Sequence, residues 1–144
     1  MFKKILVPTD GSELSEKALA GAVRLAKQLG AGVVALTVTE PYSYSNLSEY
    51  RPESIDGYDA RMQALADERL ASAAEIAKAA GVAIEPVVVR SFAPHEAIIA
   101  SAQERGCDVI VMASHGRKGL AAVLLGSETQ KVLTHSTVPV MVYR

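Results

Sequence analysis

Two glycines, Gly116 and Gly126, stand with nine residues between them, after an apolar run, Val109-Ile110-Val111-Met112, and before a polar segment that opens on Ser127. A strand, a glycine loop and a helix start in this order aim backbone N–H groups at an anion. The glycines would allow close backbone approach to a phosphate and a positive φ where the loop turns. Arg117 and Lys118 add charge at the loop. Lysine neutralises phosphate as a point charge and arginine can grip it bidentately, although both residues can equally be a solvated loop tip. The stretch from Met112 to Gln130 is thus read as the phosphate end of a nucleotide site. The common loops G-x-x-x-x-G-K-[S/T] and G-x-G-x-x-G are absent.

Each residue of this set also has a plainer use. Ser127-Glu128-Thr129-Gln130 spells a capping box, so Ser127 can cap its own helix as readily as touch a phosphate. Glu128 in a first helical turn suits the helix dipole but would repel a bound anion if it turned inward. Asp10, before Gly11, can form a turn or serve a ligand hydroxyl. His115 can bond a nucleotide or a backbone group. His95 and His135 have no metal-ligand spacing with each other or with Cys107, which reads as a small buried hydrophobe.

The elements that must place these residues follow from periodicity. Ile5-Leu6-Val7, closed by Pro8, reads as a strand over residues 2–8 buried on both faces. After a turn at residues 9–12, with Ser12 as N-cap, Leu14, Ala18, Ala22, Leu25, Ala26 and Leu29 recur at helical spacing up to Gly30. Residues 33–38 form a second strand. Residues 40–57 show no period and read as a long excursion, either functional or merely variable. A second helix runs from Tyr58 to Gly81, and a third strand spans 82–89. Pro86 inside that strand places it at a sheet edge. Pro94 opens a third helix. Residues 107–112 are a fourth strand, a short helix starts near Ser127, and residues 139–142 are a fifth strand. Strands alternating with helices imply a parallel sheet with right-handed crossovers. Ligands then bind beyond the carboxyl ends of the strands, at the switch in strand order.

The bulk composition narrows the classes. With 144 residues, 49% hydrophobic and 22% charged, the chain reads as one globular domain over 1–144. A net charge of −1 gives no global field for nucleic acid. No run approaches the roughly 20 apolar residues of a membrane span. The apolar run after Lys3-Lys4 is too short for a secretion signal, and one cysteine makes no internal disulfide, so a cytoplasmic location is expected.

Pro8-Thr9-Asp10-Gly11-Ser12 after the first strand closely resembles the universal stress protein family. So does Ala113-Ser114-His115-Gly116 followed by nine residues and Gly126-Ser127, and the likeness extends to the closing Val138-Pro139-Val140-Met141-Val142. The resemblance implies a Rossmann-like α/β fold: an open, mostly parallel five-stranded sheet of order 3-2-1-4-5 with helices on both faces, usually assembled as a homodimer. Some members bind ATP and others do not. By resemblance, Asp10 would hold the ribose, with Pro8, Thr9 and Val38 near the adenine. Met112, Ala113, His115 and Gly116 would line the middle of the site. Gly126, Ser127 and Thr129 would hold phosphates, beside Arg117 and Glu128. Ala113 stands where the ATP-binding branch has its first glycine.

Two functions are therefore weighed. One is an ATP-binding homodimeric regulatory module of the stress response, with Mg²⁺ carried on the nucleotide and an unknown protein partner. The other is an interaction protein of the same fold that binds no nucleotide. No nucleophile or base signature supports dedicated catalysis; slow ATP hydrolysis is the most that is expected. Val138, Val140, Met141 and Val142 would leave an exposed apolar edge in a monomer, so the C-terminal strand is the expected dimer contact.

Overall fold

The computed structural model describes residues 1–43, 53–116 and 125–144. Ile5, Leu6 and Val7 are fully buried, because strand β1 (Lys4–Pro8) lies in the middle of a sheet with cover on both faces. The chain continues through α1 (Glu13–Leu29), β2 (Gly32–Thr39), α2 (Ile55–Ala80), β3 (Ile84–Arg90), α3 (Pro94–Glu104), β4 (Val109–Ala113), α4 (Ser127–His135) and β5 (Val140–Tyr143). The sheet order is β3-β2-β1-β4-β5 and every neighbouring pair is parallel. The expected order 3-2-1-4-5 is the one observed.

Side-chain alternation along the strands divides the core in two. Ile5, Val7, Val33, Ala35, Val109 and Val111 pack under α1 and α2 with Leu19, Val23 and Ala77. Leu6, Val34, Leu36, Ile110 and Met112 face the other way, onto Ile98 and Ala102 of α3 and Val132 of α4. Among the described residues two helices thus cover each face. The switch in order falls between β1 and β4, whose register pairs Ile5 with Val109 and Leu6 with Ile110.

Local signals behave as their chemistry dictates. Ser12 caps α1 by accepting the Ser15 N–H, and Gly30 at φ 65° ends it in the left-handed region that glycine tolerates. Pro94 stands in the first turn of α3, and Pro86 lies on the outer strand β3. The second helix begins at Ile55 rather than Tyr58, because Ser54 caps it by accepting the Gly57 N–H. That first turn carries Ile55, Asp56 and Gly57, which give no apolar period. Cys107 and Asp108 precede β4 instead of opening it. The Asp108 carboxylate accepts the N–H groups of Lys3 and Lys4, so it ties the starts of β4 and β1 together. Val138 lies before β5, and β5 itself extends to Tyr143. Tyr143 seats its ring on α1 at Gly21, where a methyl would lie 2.5 Å from the ring edge.

Of the expected excursion over 40–57, residues 44–52 lie outside the described residues. No helix among the described residues is long and apolar enough to cross a membrane.

Candidate functional site

The carboxyl ends of β1 and β4 meet at the switch point, and the turn after β1 is built around two side chains. Thr9 is buried; its hydroxyl accepts the Gly11 N–H at 3.2 Å and lies 3.2 Å from the Ser15 hydroxyl. Asp10 accepts the Ser12 N–H at 2.9 Å through Oδ1, the turn bond expected of an aspartate before Gly11. Gly11 has φ 75°, which a residue with a side chain rarely adopts. The other carboxylate oxygen of Asp10 reaches across to β4's loop: a methyl at position 116 would lie 2.5 Å from Asp10 Oδ2. Asp10 and Gly116, 106 residues apart, therefore touch.

Beyond β4 the chain turns at Ser114 and His115. Ser114 is buried. Its N–H donates to the Tyr143 carbonyl, its hydroxyl lies 3.2 Å from His115 Nδ1, and its carbonyl accepts the Gly126 N–H. Gly126 is packed against this corner: a methyl there would lie 3.1 Å from the His115 α-carbon and 3.3 Å from the Ser114 carbonyl oxygen. Neither glycine of the motif lies in the left-handed region; Gly126 has φ −57°. The expectation of a positive φ at the loop glycines is corrected for these two, where the missing side chain instead allows close packing. Ala113 also has no positive φ, ends β4 opposite Tyr143, and is conformationally at ease with its methyl. A glycine there would serve a ligand's approach and not the backbone.

Helix α4 brings its N-terminus to this corner. Gly126, not Ser127, is the N-cap, and no side chain caps the helix. The capping-box reading is therefore corrected. The Gln130 amide donates to the Leu125 carbonyl instead of folding back on residue 127. Thr129, buried, donates its hydroxyl to the Ala113 carbonyl at 2.9 Å. The helical ladder begins with the Gln130 N–H bonding the Gly126 carbonyl, which leaves the N–H groups of Ser127, Glu128 and Thr129 outside it. Such N–H groups and the positive end of the helix dipole favour an anion. The start of α1 is a poorer receptor: Ser12 already caps it, and Glu13 and Glu16 lie in its first turn.

Glu128 is tied to α3 and to its own helix. Its Oε2 accepts the His95 N–H at 2.8 Å and lies 3.0 Å from His95 Nδ1, while Oε1 lies 3.3 Å from Lys131 Nζ. Partial burial would raise its pKa, but the bonds from His95 and Lys131 outweigh that and leave it lowered. His95 thus has a role that its lack of metal spacing concealed. Among the described residues no group of three or more histidine, cysteine, aspartate or glutamate residues is placed to hold a metal ion.

The other expected residues are distributed as the strand ends require. Pro8 ends β1 and is half-buried, and Met112 is buried under α3 and α4. Val38 packs on the same core face and lines a cavity of about 320 Å³ with Thr39, Tyr58 and Arg61 at the end of β2. Arg117 lies outside the described residues, as does Lys118. Val138 and Val140 pack on the core under α3 and α4, Val142 is half-buried, and Met141 is 42% exposed.

Comparison with known proteins bears on this geometry. The model of the Universal stress protein family matches residues 1–144. The chain is 37% identical to the universal stress protein YxiE of Bacillus subtilis, with all of both chains covered. The solved structure of MJ0577, a universal stress protein of Methanocaldococcus jannaschii, superposes with a TM-score of 0.82 at 30% identity, covering 99% of this chain and 96% of that one. A universal stress protein solved in complex with cAMP superposes with a TM-score of 0.74 at 29% identity, covering 99% and 97%. An adenine nucleotide is therefore held by at least one relative of this architecture. Matched by the family model along its whole length and superposing closely on a solved relative, the chain belongs to the universal stress protein family.

Proposed function

We propose that this chain is an adenine-nucleotide-binding regulatory protein of the stress response, acting as a homodimer without dedicated catalysis, and that its ligand is ATP. The observation that carries the reading is the meeting of Asp10 with Gly116 at the β1–β4 switch, beside an α4 N-terminus whose first N–H groups lie outside the helical ladder. The cAMP complex of a relative supports the nucleotide class. In this reading Asp10 accepts from the ribose hydroxyls, and Pro8, Thr9 and Val38 border the adenine. Met112, Ala113, His115 and Gly116 line the middle. The N–H groups of Ser127 and Thr129 receive the phosphates, helped by Arg117, while Gly126, whose own N–H is held by the Ser114 carbonyl, lets the backbone come close. Because the Thr129 hydroxyl is committed to Ala113, its part is through the backbone. Mg²⁺ would arrive on the phosphates.

Among the described residues the carboxylate at the β1–β4 switch is that of Asp10, which this reading gives to the ribose, so the ligand's use is conformational. Binding would change the surface that the loop beyond Gly116 offers to a protein partner. The dimer would form through β5, whose outer edge has no strand beside it among the described residues. Calorimetric titration with ATP–Mg²⁺ tests the reading: saturable binding by the wild type, abolished or at least tenfold weaker in Asp10→Ala, is expected. Absence of heat, of thermal shift and of co-purified nucleotide would instead favour an interaction protein that uses the fold without a ligand.

A further inference from the structure

Three anchors fix the first turn of α4. The Gly126 N–H donates to the Ser114 carbonyl, the Thr129 hydroxyl donates to the Ala113 carbonyl, and the Glu128 carboxylate accepts from His95. The first two tie α4 to the end of β4. The third ties it to α3, and it closes a gap there: Ala93 is the N-cap of α3 and offers no side-chain acceptor. Glu128 thus caps a helix other than its own, 33 residues away in sequence. Both of its oxygens are engaged, Oε2 by His95 and Oε1 by Lys131, and its side chain is about one-third exposed. The His135 ring, 6.2 Å from that of His95, completes the polar surroundings on the α3–α4 face.

We infer that Glu128 is a positioning residue for the nucleotide: its carboxylate clamps the start of α4 to the start of α3, which aims the Ser127–Thr129 N–H groups at the phosphates and turns the glutamate's own charge away from them. The inference rests on the nucleotide reading and deepens it, because a carboxylate beside a phosphate site would ordinarily weaken binding. Here the same charge stabilises the N-terminus of α3, where N–H groups need an acceptor. Loss of the clamp frees α4 to turn about the two remaining anchors.

The test compares Glu128→Gln and Glu128→Ala with the wild type by calorimetric titration with ATP–Mg²⁺, and by hydrogen exchange at the His95 amide without nucleotide. Glutamine keeps an oxygen acceptor and discards the charge; alanine discards both. The expected result is affinity near that of the wild type for the glutamine variant and roughly three- to tenfold weaker for the alanine variant. Protection of the His95 amide should be kept in the former and lost in the latter. Tighter binding in both variants would show simple charge repulsion, and equal binding by wild type and alanine variant would show no role; either overturns the inference. If the wild type itself binds no nucleotide, the functional reading falls. His95 protection that survives Glu128→Ala would overturn the clamp whether or not a ligand binds.

Discussion

The carboxylate of Asp10 lies directly against the α-carbon of Gly116, so close that a methyl on that carbon would stand 2.5 Å from Oδ2. The two residues belong to loops after different strands, and only the adjacency of β1 and β4 brings them together. Their contact defines the floor of the proposed site.

Gly116→Val therefore tests the floor. The glycine has no positive φ, so the cost is steric and not one of backbone strain. Overpacking of this sort costs about 1–3 kcal/mol. The variant is expected to fold with a lowered unfolding midpoint and to lose ATP affinity by at least tenfold, as measured by thermal unfolding and titration. Affinity equal to wild type would place the ligand elsewhere.

Thr129→Val removes the hydroxyl that donates to the Ala113 carbonyl while keeping the side chain's shape. The carbonyl is left with a buried unmet acceptor, at a cost of about 1–3 kcal/mol. Chemical denaturation should show that loss. Because the backbone N–H of residue 129 is retained, nucleotide affinity should fall far less than in Gly116→Val.

Acid stability should depend on Asp108. Desolvation alone would raise its pKa, but the N–H bonds from Lys3 and Lys4 dominate and the net shift is downward. A carboxyl with a lowered folded pKa stabilises the protein above its unfolded value, and that contribution fades as pH falls through the folded value. The wild type should therefore lose stability below about pH 4, and Asp108→Asn should start less stable at neutral pH and show a shallower acid limb. Unfolding midpoints measured across that range check both; parallel curves would contradict the assignment.

Assembly is tested best at Met141. Val140 packs on the core under α3 and α4, so Val140→Asp would damage core and edge together. Met141 is 42% exposed, and Met141→Lys should yield a monomer by light scattering with an unfolding profile that still reports a folded chain. An unchanged dimer would mean that a different surface associates. Gly21→Leu should act indirectly, because its side chain would displace Tyr143 from α1 and shift β5.

Much of this architecture was legible along the chain. The apolar run at Ile5–Val7 marked an interior strand and that at Val33–Val38 a second strand, Ser12, Gly30 and Pro94 marked helix ends, and Pro86 marked an edge. These are local signals, each decided within a few residues. The site was harder because its contacts are distant. The motif named Gly116, but its need for glycine comes from Asp10. Glu128 looked like an obstacle to phosphate until α3 supplied His95 as a partner, and no spacing rule links positions 95 and 128. Ser127 looked like a cap because serine usually is one. Gly126 took that place, packed closely against Ser114 and His115, which moved every helical position by one.

Amide chemical shifts during titration with ATP–Mg²⁺ test the central claim most directly. A nucleotide at the β1–β4 switch predicts saturable shifts concentrated at Thr9, Asp10, Gly116, Ser127 and Thr129, with α2 and β3 largely unmoved. No saturable change, or shifts centred on the α2–β3 side, would contradict it.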